Sequence, residues 1–215
     1  MFLGHFAVAL AAKKAAPKTP LGILVLAAQF ADLLWPILLL LGIEQVRIVP
    51  GLLPVSPFDF TSYPISHSLA AELGWGVLLG VAYFVAKRDA RSALIVGMLV
   101  PTHWVLDLVA HRPDMPIYPG GAKYGLGMWQ SLPLTVLVEY GLFAAGIAIY
   151  LSCTRAIDRT GNVALWSLLA LLAVLYLGSV FGPPPPNVHV LAVSALAIWI
   201  TLPWAAWADR HRQLR

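Results

Sequence analysis

Charged residues are scarce in this chain, and cysteine is almost absent. Only 11% of the 215 residues are Asp, Glu, Lys or Arg, against roughly 25% in soluble domains. The single cysteine, Cys153, excludes an intramolecular disulfide and any metal site built from several thiolates. No basic segment precedes the first apolar stretch, and Lys13 and Lys14 follow it, so we expect no cleaved signal peptide.

Apolar residues fill most of the remaining sequence. They make up 60% of the chain, and the mean hydropathy is +0.79. Several runs are long enough as helices to cross a hydrocarbon core of about 30 Å. We predict an all-α, polytopic membrane helix bundle that forms one integral-membrane domain over residues 1–215. Its six predicted spans lie near residues 20–43, 66–86, 92–111, 132–152, 163–181 and 188–207.

A shorter apolar segment, residues 2–12, precedes the spans. As a helix it would be about 16 Å long, which is too short to cross comfortably. Lys13 and Lys14 would hold its C-terminal end at one membrane face. We therefore predict a half-membrane helix whose N-terminus points into the bilayer, and backbone at that depth must be covered by protein or lie in a wet cavity.

The basic residues indicate the orientation of the chain. Eleven of the 14 lysines and arginines fall in residues 1–19, 87–91, 153–162 and the C-terminal tail. The positive-inside rule places these segments, including the C-terminus, in the cytoplasm. The net charge of +4 follows from these basic loops, so it gives no reason to expect nucleic-acid binding.

Four carboxylates lie within the predicted spans without a basic partner. They are Asp32, Glu72, Asp107 and Glu139, and no full span contains Lys or Arg. An unpaired charge in hydrocarbon costs several kcal/mol by order of magnitude. These groups must therefore be protonated, in contact with water, or bound to a cation.

Histidines at similar depth favour the bound cation. His103 and Asp107 are four residues apart, so they share a helix face, and His111 repeats the step one turn later. Imidazole together with carboxylate suits zinc, and also manganese or iron. The alternative for a single histidine is a hydrogen bond to a neighbouring helix. The predicted ligands of a divalent metal ion are His5, Asp32, His67, His103 and Asp107.

These motifs, taken in order, resemble a known family. Gly4-His5, an acidic motif at Asp32, His67-Ser68 and the H-x-x-x-D helix from His103 to Asp107 follow one another as in the bacterial and archaeal membrane-bound metal-dependent hydrolases of the inner membrane. The similarity extends from residue 4 to about residue 120. In that family the acidic motif usually has more than one carboxylate, and a His-Arg pair often lies upstream of the His-Ser pair. This chain has one carboxylate and Tyr63-Pro64 in those places. The number of metal ions therefore stays open.

The resemblance implies a metal-dependent hydrolase in a prokaryotic cytoplasmic membrane. His111, Asp114 and Glu139 are then candidates for the catalytic acid–base role. Arg112 and Lys123 lie near the outer interface and could bind an anionic head group. This placement favours a lipid or lipid-linked phosphoester as substrate.

Two other functions fit the same residues. A transporter could use them to relay protons or to bind a transported metal ion, but it would need a polar route through the cytoplasmic half of the spans. The sequence has almost no polar residues there and no visible inverted repeat. A membrane protein with a purely structural metal site is the third possibility, and it would lack an open coordination position.

Overall fold

The chain is mostly helical, as its composition predicts. The computed structural model describes all 215 residues, 67% of them in helices. Single helices form α1 to α7, whereas α8 contains a 3-10 stretch at Leu196–Ile200. The helices are α1 Leu3–Ala15, α2 Leu21–Ala28, α3 Phe30–Leu40, α4 Leu69–Lys87, α5 Ala90–Ala110, α6 Leu132–Cys153, α7 Arg159–Phe181 and α8 Val188–Arg210.

Five helices, α4 to α8, are long and apolar enough to cross a membrane. These correspond to five of the six predicted spans, and they are consistent with a multi-pass membrane protein. The remaining predicted span, over residues 20–43, is not one straight helix. The segment is two helices, α2 and α3, which meet at Gln29 with a bend of 58°. Together the pair is apolar and long enough to count as one broken span.

The predicted short N-terminal helix is α1, and it lies inside the bundle. It packs against α2, α5, α6 and α7. The contact with α6 is close because Gly146 has no side chain. A Cβ atom there would lie 2.5 Å from the carbonyl oxygen of Ala7. Most of α1 is therefore buried by protein, which places its polar side chains in the interior.

Helices α4 and α5 form an antiparallel hairpin. Arg88, with a φ of 54°, ends α4, and the Asp89 side chain caps α5 by accepting from the Ser92 backbone N–H at 3.1 Å. The helices touch at Gly76 and Gly97. A Cβ atom on Gly76 would lie 2.5 Å from the Gly97 carbonyl oxygen, so only glycine permits this approach.

The two ends of the bundle differ. One end, called the basic end here, is where the C-terminal ends of α1, α6 and α8 meet. There Lys13 donates to Asp209 at 2.6 Å, and Tyr150 donates to the same carboxylate at 2.8 Å. A two-stranded sheet of β5 Thr154–Ala156 and β6 Arg212–Leu214 lies at this end.

The opposite end, called the loop end here, carries two further two-stranded sheets. They are β1 Gln45–Ile48 with β2 Phe58–Ser62, and β3 Met115–Pro116 with β4 Lys123–Tyr124. A small apolar core under these sheets includes Trp35, Phe60, Tyr63 and Trp104. The larger core lies among the helices.

Candidate metal centre

The five predicted ligands come together where α1, α3 and α5 meet the segment before α4. Two sets of three ligand atoms lie within 4.8 Å of one another, namely His5, His103 and Asp107, and Asp32, His67 and His103. Either set could hold a metal ion, because imidazole nitrogen and carboxylate oxygen are ordinary ligands of divalent metals. The donors fit zinc, manganese and iron alike, so they do not select the metal.

Asp107 lies at the centre of the cluster. Its Oδ1 is 3.1 Å from His5 Nε2, and its Oδ2 is 3.3 Å from His103 Nε2. Asp32 forms the second acidic point, with Oδ1 at 3.5 Å from His67 Nε2 and 3.7 Å from His103 Nε2. His103 therefore belongs to both sets through the same nitrogen.

His103 is held so that this nitrogen faces the carboxylates. Its Nδ1 lies 2.9 Å from the carbonyl oxygen of Ala28. A carbonyl can only accept, so Nδ1 carries a hydrogen and Nε2 is left for the cluster. Ala28 is the last residue of α2, where a carbonyl lacks its usual helical partner. The break at Gln29 thus supplies the group that orients His103.

His5 reaches the cluster from the buried helix α1. Its ring stacks on the His103 ring, with centroids 3.6 Å apart and planes 5° from parallel. Nε2 faces Asp107, whereas Nδ1 is buried without a hydrogen-bond partner. Two parallel rings with Nε2 atoms near one carboxylate are arranged as neighbouring ligands of one ion would be.

Access to the cluster is one-sided. The Asp32 side chain is 26% exposed, whereas the side chains of His5, His67, His103 and Asp107 are at most 5% exposed. Within α3, Asp32 shares its helix face with the buried residues Trp35, Pro36 and Leu39. Its partial exposure therefore lies on a face of α3 that is otherwise covered by protein.

Asp107 has a cationic neighbour that lies outside the six predicted spans. The α-ammonium of Met1 contacts Asp107 Oδ1, so the buried carboxylate has one cationic neighbour that is not a lysine or arginine side chain. Asp32 is contacted only by histidines among the basic residues.

His111 and Asp114, predicted as catalytic residues, lie together beside the cluster. His111 Nδ1 is 3.0 Å from Asp114 Oδ1, and its Nε2 is 3.7 Å from Asp107 Oδ2. Tyr63 donates its hydroxyl hydrogen toward Asp114, at 2.9 Å from the carbonyl oxygen and 3.2 Å from Oδ1. His111 therefore presents Nε2 to the cluster, as His103 does.

Glu139, the third predicted catalytic residue, contacts backbone. It accepts from the N–H groups of Phe2 at 2.8 Å and Gly4 at 2.9 Å. These belong to the N-terminal turn of α1, whose N–H groups have no partner within the helix. Glu139 is thus a cap for a buried helix end, and it belongs to neither set of metal-ligand atoms.

Arg112 and Lys123, the predicted head-group ligands, differ in their surroundings. Arg112 donates to Asp114 at 3.2 Å and also contacts Asp59, so two carboxylates already pair its charge. Lys123 is exposed and lies 3.3 Å from the carbonyl oxygen of Thr61. An anion would have to compete with Asp59 and Asp114 for Arg112, and the role of both residues stays a prediction.

Two further residues near the site, Glu44 and Ser66, were not predicted from the sequence. Glu44 is buried in the turn after α3 and accepts from the Ser66 hydroxyl at 2.5 Å. That hydroxyl oxygen is 2.6 Å from His67 Nδ1. Ser66 precedes a predicted ligand and Glu44 is an acid directly after an apolar run, but only the fold brings them together.

Comparison with known proteins gives no relative from which a function could be taken. No family model, curated protein or solved structure matches the chain. The resemblance to membrane-bound metal-dependent hydrolases therefore stays a prediction, and the function has to be inferred from the site.

Proposed function

We propose that the chain is a membrane-embedded, metal-dependent hydrolase that acts on a lipid or lipid-linked phosphoester. The observation that carries this proposal is the buried cluster in which Nε2 of His5, His67 and His103 faces Asp32 and Asp107. Two aspartates balance the charge of one divalent cation, which removes most of the cost of burying them. A bound ion of this kind supplies Lewis acidity and lowers the pKa of water.

The one-sided access supports an enzyme over a structural metal site. Structural sites are closed by protein ligands, whereas catalytic sites keep a position open for water or substrate. Here Asp32 alone among the five predicted ligands is substantially exposed, on an otherwise buried face of α3. His111, with Asp114 behind it, lies next to the same carboxylate that joins His5 and His103, and it is our candidate for proton transfer.

The packing below the cluster supports an enzyme over a transporter. Between the cluster and the basic end, α1, α2 and α5 bury apolar side chains, including Leu10, Leu24 and Val96. A transported ion or proton would need polar groups along that route. Buried polar contacts farther along, such as those of Lys13 and Tyr150 with Asp209, join helices at the basic end.

The depth of the cluster supports a lipid phosphoester. Asp107 lies three residues, about 5 Å, before the end of α5 at the loop end, and His103 about 10 Å before it. His67 lies just outside the first turn of α4. If the spans cross a bilayer, the cluster lies near an interface, where the phosphate of a lipid head group also lies.

The test is hydrolysis by purified, metal-loaded protein in detergent and in vesicles. Phosphate release from vesicles that contain phosphatidic acid is compared with release from soluble p-nitrophenyl phosphate, with Zn²⁺, Mn²⁺ or Fe²⁺ added. Asp107→Asn is the site variant. Asp158→Asn is the matched control, because Asp158 caps α7 at the opposite end and asparagine can keep that cap.

Metal-dependent phosphate release that Asp107→Asn abolishes and Asp158→Asn preserves is the expected result, with the vesicle substrate favoured. Stoichiometric metal binding without hydrolysis of any phosphoester would indicate a structural site. Uptake of metal ions or protons into sealed vesicles, with no hydrolysis, would support the transporter instead.

A further inference from the structure

Glu44 is a buried carboxylate, and all of its hydrogen bonds are with the segment that precedes His67. Its Oε1 accepts from the backbone N–H groups of Ile65 at 2.7 Å and Ser66 at 2.9 Å. Its Oε2 accepts the hydroxyl hydrogen of Ser66 at 2.5 Å. The residue is 2% exposed, so water does not replace these bonds.

The direction of these hydrogen bonds determines the tautomer of His67. An ionised carboxylate only accepts, and a serine hydroxyl has one hydrogen. Because that hydrogen points to Glu44, the Ser66 oxygen can only accept from His67, whose Nδ1 is 2.6 Å away. Nδ1 therefore carries the hydrogen, and the lone pair is on Nε2, which faces Asp32 at 3.5 Å.

We propose that Glu44 and Ser66 are positioning residues that fix His67 as an Nε2 metal ligand. The inference rests on the proposed metal centre and assigns to it two residues that do not touch the ion. Histidine ligands commonly donate their other ring N–H to a carboxylate or carbonyl, which fixes the tautomer and the ring orientation. Here the Ser66 hydroxyl lies between the Glu44 carboxylate and the His67 ring, and its orientation determines which ring nitrogen carries the hydrogen.

If Glu44 only held the two loop segments together, the Ser66 hydroxyl would not be needed. The bonds from Ile65 and Ser66 N–H to Glu44 already hold the turn after α3 against the segment before α4. The hydroxyl adds a contact with His67 and nothing to the backbone. Three histidines have Nδ1 next to a group outside the cluster, which orients the ring, namely His67, His103 and His111.

Glu44→Gln tests the direction of the bonds without removing volume. The glutamine oxygen can still accept from the two backbone N–H groups, but its NH₂ group would face Ser66 and donate to the hydroxyl oxygen. The hydroxyl hydrogen would then turn to His67 Nδ1. We expect the ring hydrogen of His67 to move to Nε2. An N–H group at that position cannot bind a metal ion.

The first measurement is ¹⁵N NMR of histidine side chains in the metal-free protein. The expected state of His67 is Nδ1–H in the wild type and Nε2–H in Glu44→Gln, with His67→Gln to assign the signal. The same tautomer in both proteins would overturn the inference. This readout does not depend on metal binding or on activity.

The second measurement is Zn²⁺ affinity, together with the visible absorption of the Co²⁺-loaded protein. Loss of an orienting partner commonly lowers metal affinity about 10–100-fold, and we expect this for Glu44→Gln and Ser66→Ala, with a changed Co²⁺ spectrum. The control is Ser92→Ala, which removes a buried hydroxyl that donates at 2.7 Å to Asp89 in the turn between α4 and α5, at the opposite end of these helices from His67. It should lower stability and leave the metal affinity and spectrum unchanged.

The two proposals fail in different ways. If the wild type binds no metal while the tautomer still changes in Glu44→Gln, the proposed function is overturned and the role of Glu44 in orienting His67 is supported. If the wild type binds metal and Glu44→Gln binds it equally with the same spectrum, the positioning role is overturned and the metal centre stands.

Discussion

His103 donates its Nδ1 hydrogen to the backbone carbonyl of Ala28 at 2.9 Å. This contact links the cluster to the break between α2 and α3, which bend by 58° at Gln29. In an unbroken helix the Ala28 carbonyl would accept from the N–H group four residues later. Side chains that enter a helical hydrogen-bond ladder are a recognised cause of sharp kinks. The bent segment and the orientation of His103, the candidate ligand shared by both sets, are therefore parts of one arrangement.

Removing His103 should abolish metal binding, because this residue belongs to both sets of ligand atoms. His103→Ala is expected to purify without stoichiometric metal, as measured by elemental analysis. His189→Ala is the control, since His189 is exposed at the start of α8. Equal metal content in the two variants would contradict the assignment.

Single substitutions of His5 and His67 should then locate the ion. If one ion occupies the set with Asp107, His5→Ala loses it and His67→Ala keeps it; occupancy of the set with Asp32 gives the opposite result. Loss in both variants indicates that the two sets bind as one centre. No loss in either variant, with metal present in the wild type, would place the ion elsewhere.

Metal removal should destabilise the folded protein. A ligand that binds only the native state at 100 times its Kd adds about 2.7 kcal/mol to stability. Without the ion, Asp32 and Asp107 also lose the charge that would balance both. We expect a chelator to lower the thermal midpoint of the wild type and to leave that of Asp107→Asn unchanged. Equal shifts in both proteins would indicate that the chelator acts at another place.

The close contact between α1 and α6 should tolerate no side chain at Gly146. A Cβ atom there would lie 2.5 Å from the Ala7 carbonyl oxygen and 2.6 Å from its Cα. Overpacking of this kind typically costs about 1–3 kcal/mol. Gly146→Ala should lower the free energy of unfolding by about that amount, and it should weaken metal binding because α1 carries His5.

Gly141 offers the matched control on the same helix. A Cβ atom at this position meets nothing within 4 Å. Gly141→Ala should therefore leave metal affinity unchanged and should not lower stability, since alanine is the better helix former. Similar effects of the two substitutions would mean that α1 does not pack against Gly146.

Glu139 should act on stability more than on catalysis. Both of its oxygens accept from N-terminal backbone groups of α1, so Glu139→Gln leaves one N–H group facing an amide NH₂. An unsatisfied buried group costs about 1–3 kcal/mol. The expected result is a lower thermal midpoint with kcat nearly unchanged. A large fall in kcat at unchanged stability and metal content would restore the acid–base role that the sequence predicts.

The sequence was informative about the apolar helices and the residues of the cluster. Hydropathy alone located α4 to α8, and the cost of burying His103 and Asp107 marked them as neighbours in a polar site. Those properties are local, because each depends on residue type and helical spacing. His5 and Asp32 were predicted as ligands from charge and from the order of motifs, and the fold brings them close to the other residues of the cluster.

Other features depend on contacts between distant segments. Apart from Asp32, the run over residues 20–43 is apolar on both sides of Gln29, and no local pattern marks the bend, which involves a side chain from α5. Glu44 lies outside the helices, and its partner Ser66 is 22 residues away. The capping role of Glu139, predicted as a candidate acid–base residue, could not be foreseen because the helix end that it caps is on another segment.

Gln29 itself provides a last test of the broken span. Its side chain is fully buried at the bend, and neither the amide oxygen nor the amide nitrogen has a hydrogen-bond partner. Burying such groups without partners costs about 1–3 kcal/mol, and an apolar group of similar shape avoids this cost. Gln29→Leu should therefore raise the free energy of unfolding by about that amount while His103 keeps its contact with Ala28 and metal affinity stays unchanged. Gln45→Leu, at an exposed position of β1, should change stability by less than about 0.5 kcal/mol. A destabilised protein or weaker metal binding in Gln29→Leu would show that the amide makes a hydrogen bond in the folded protein. The bend would then be maintained by Gln29 as well as by His103.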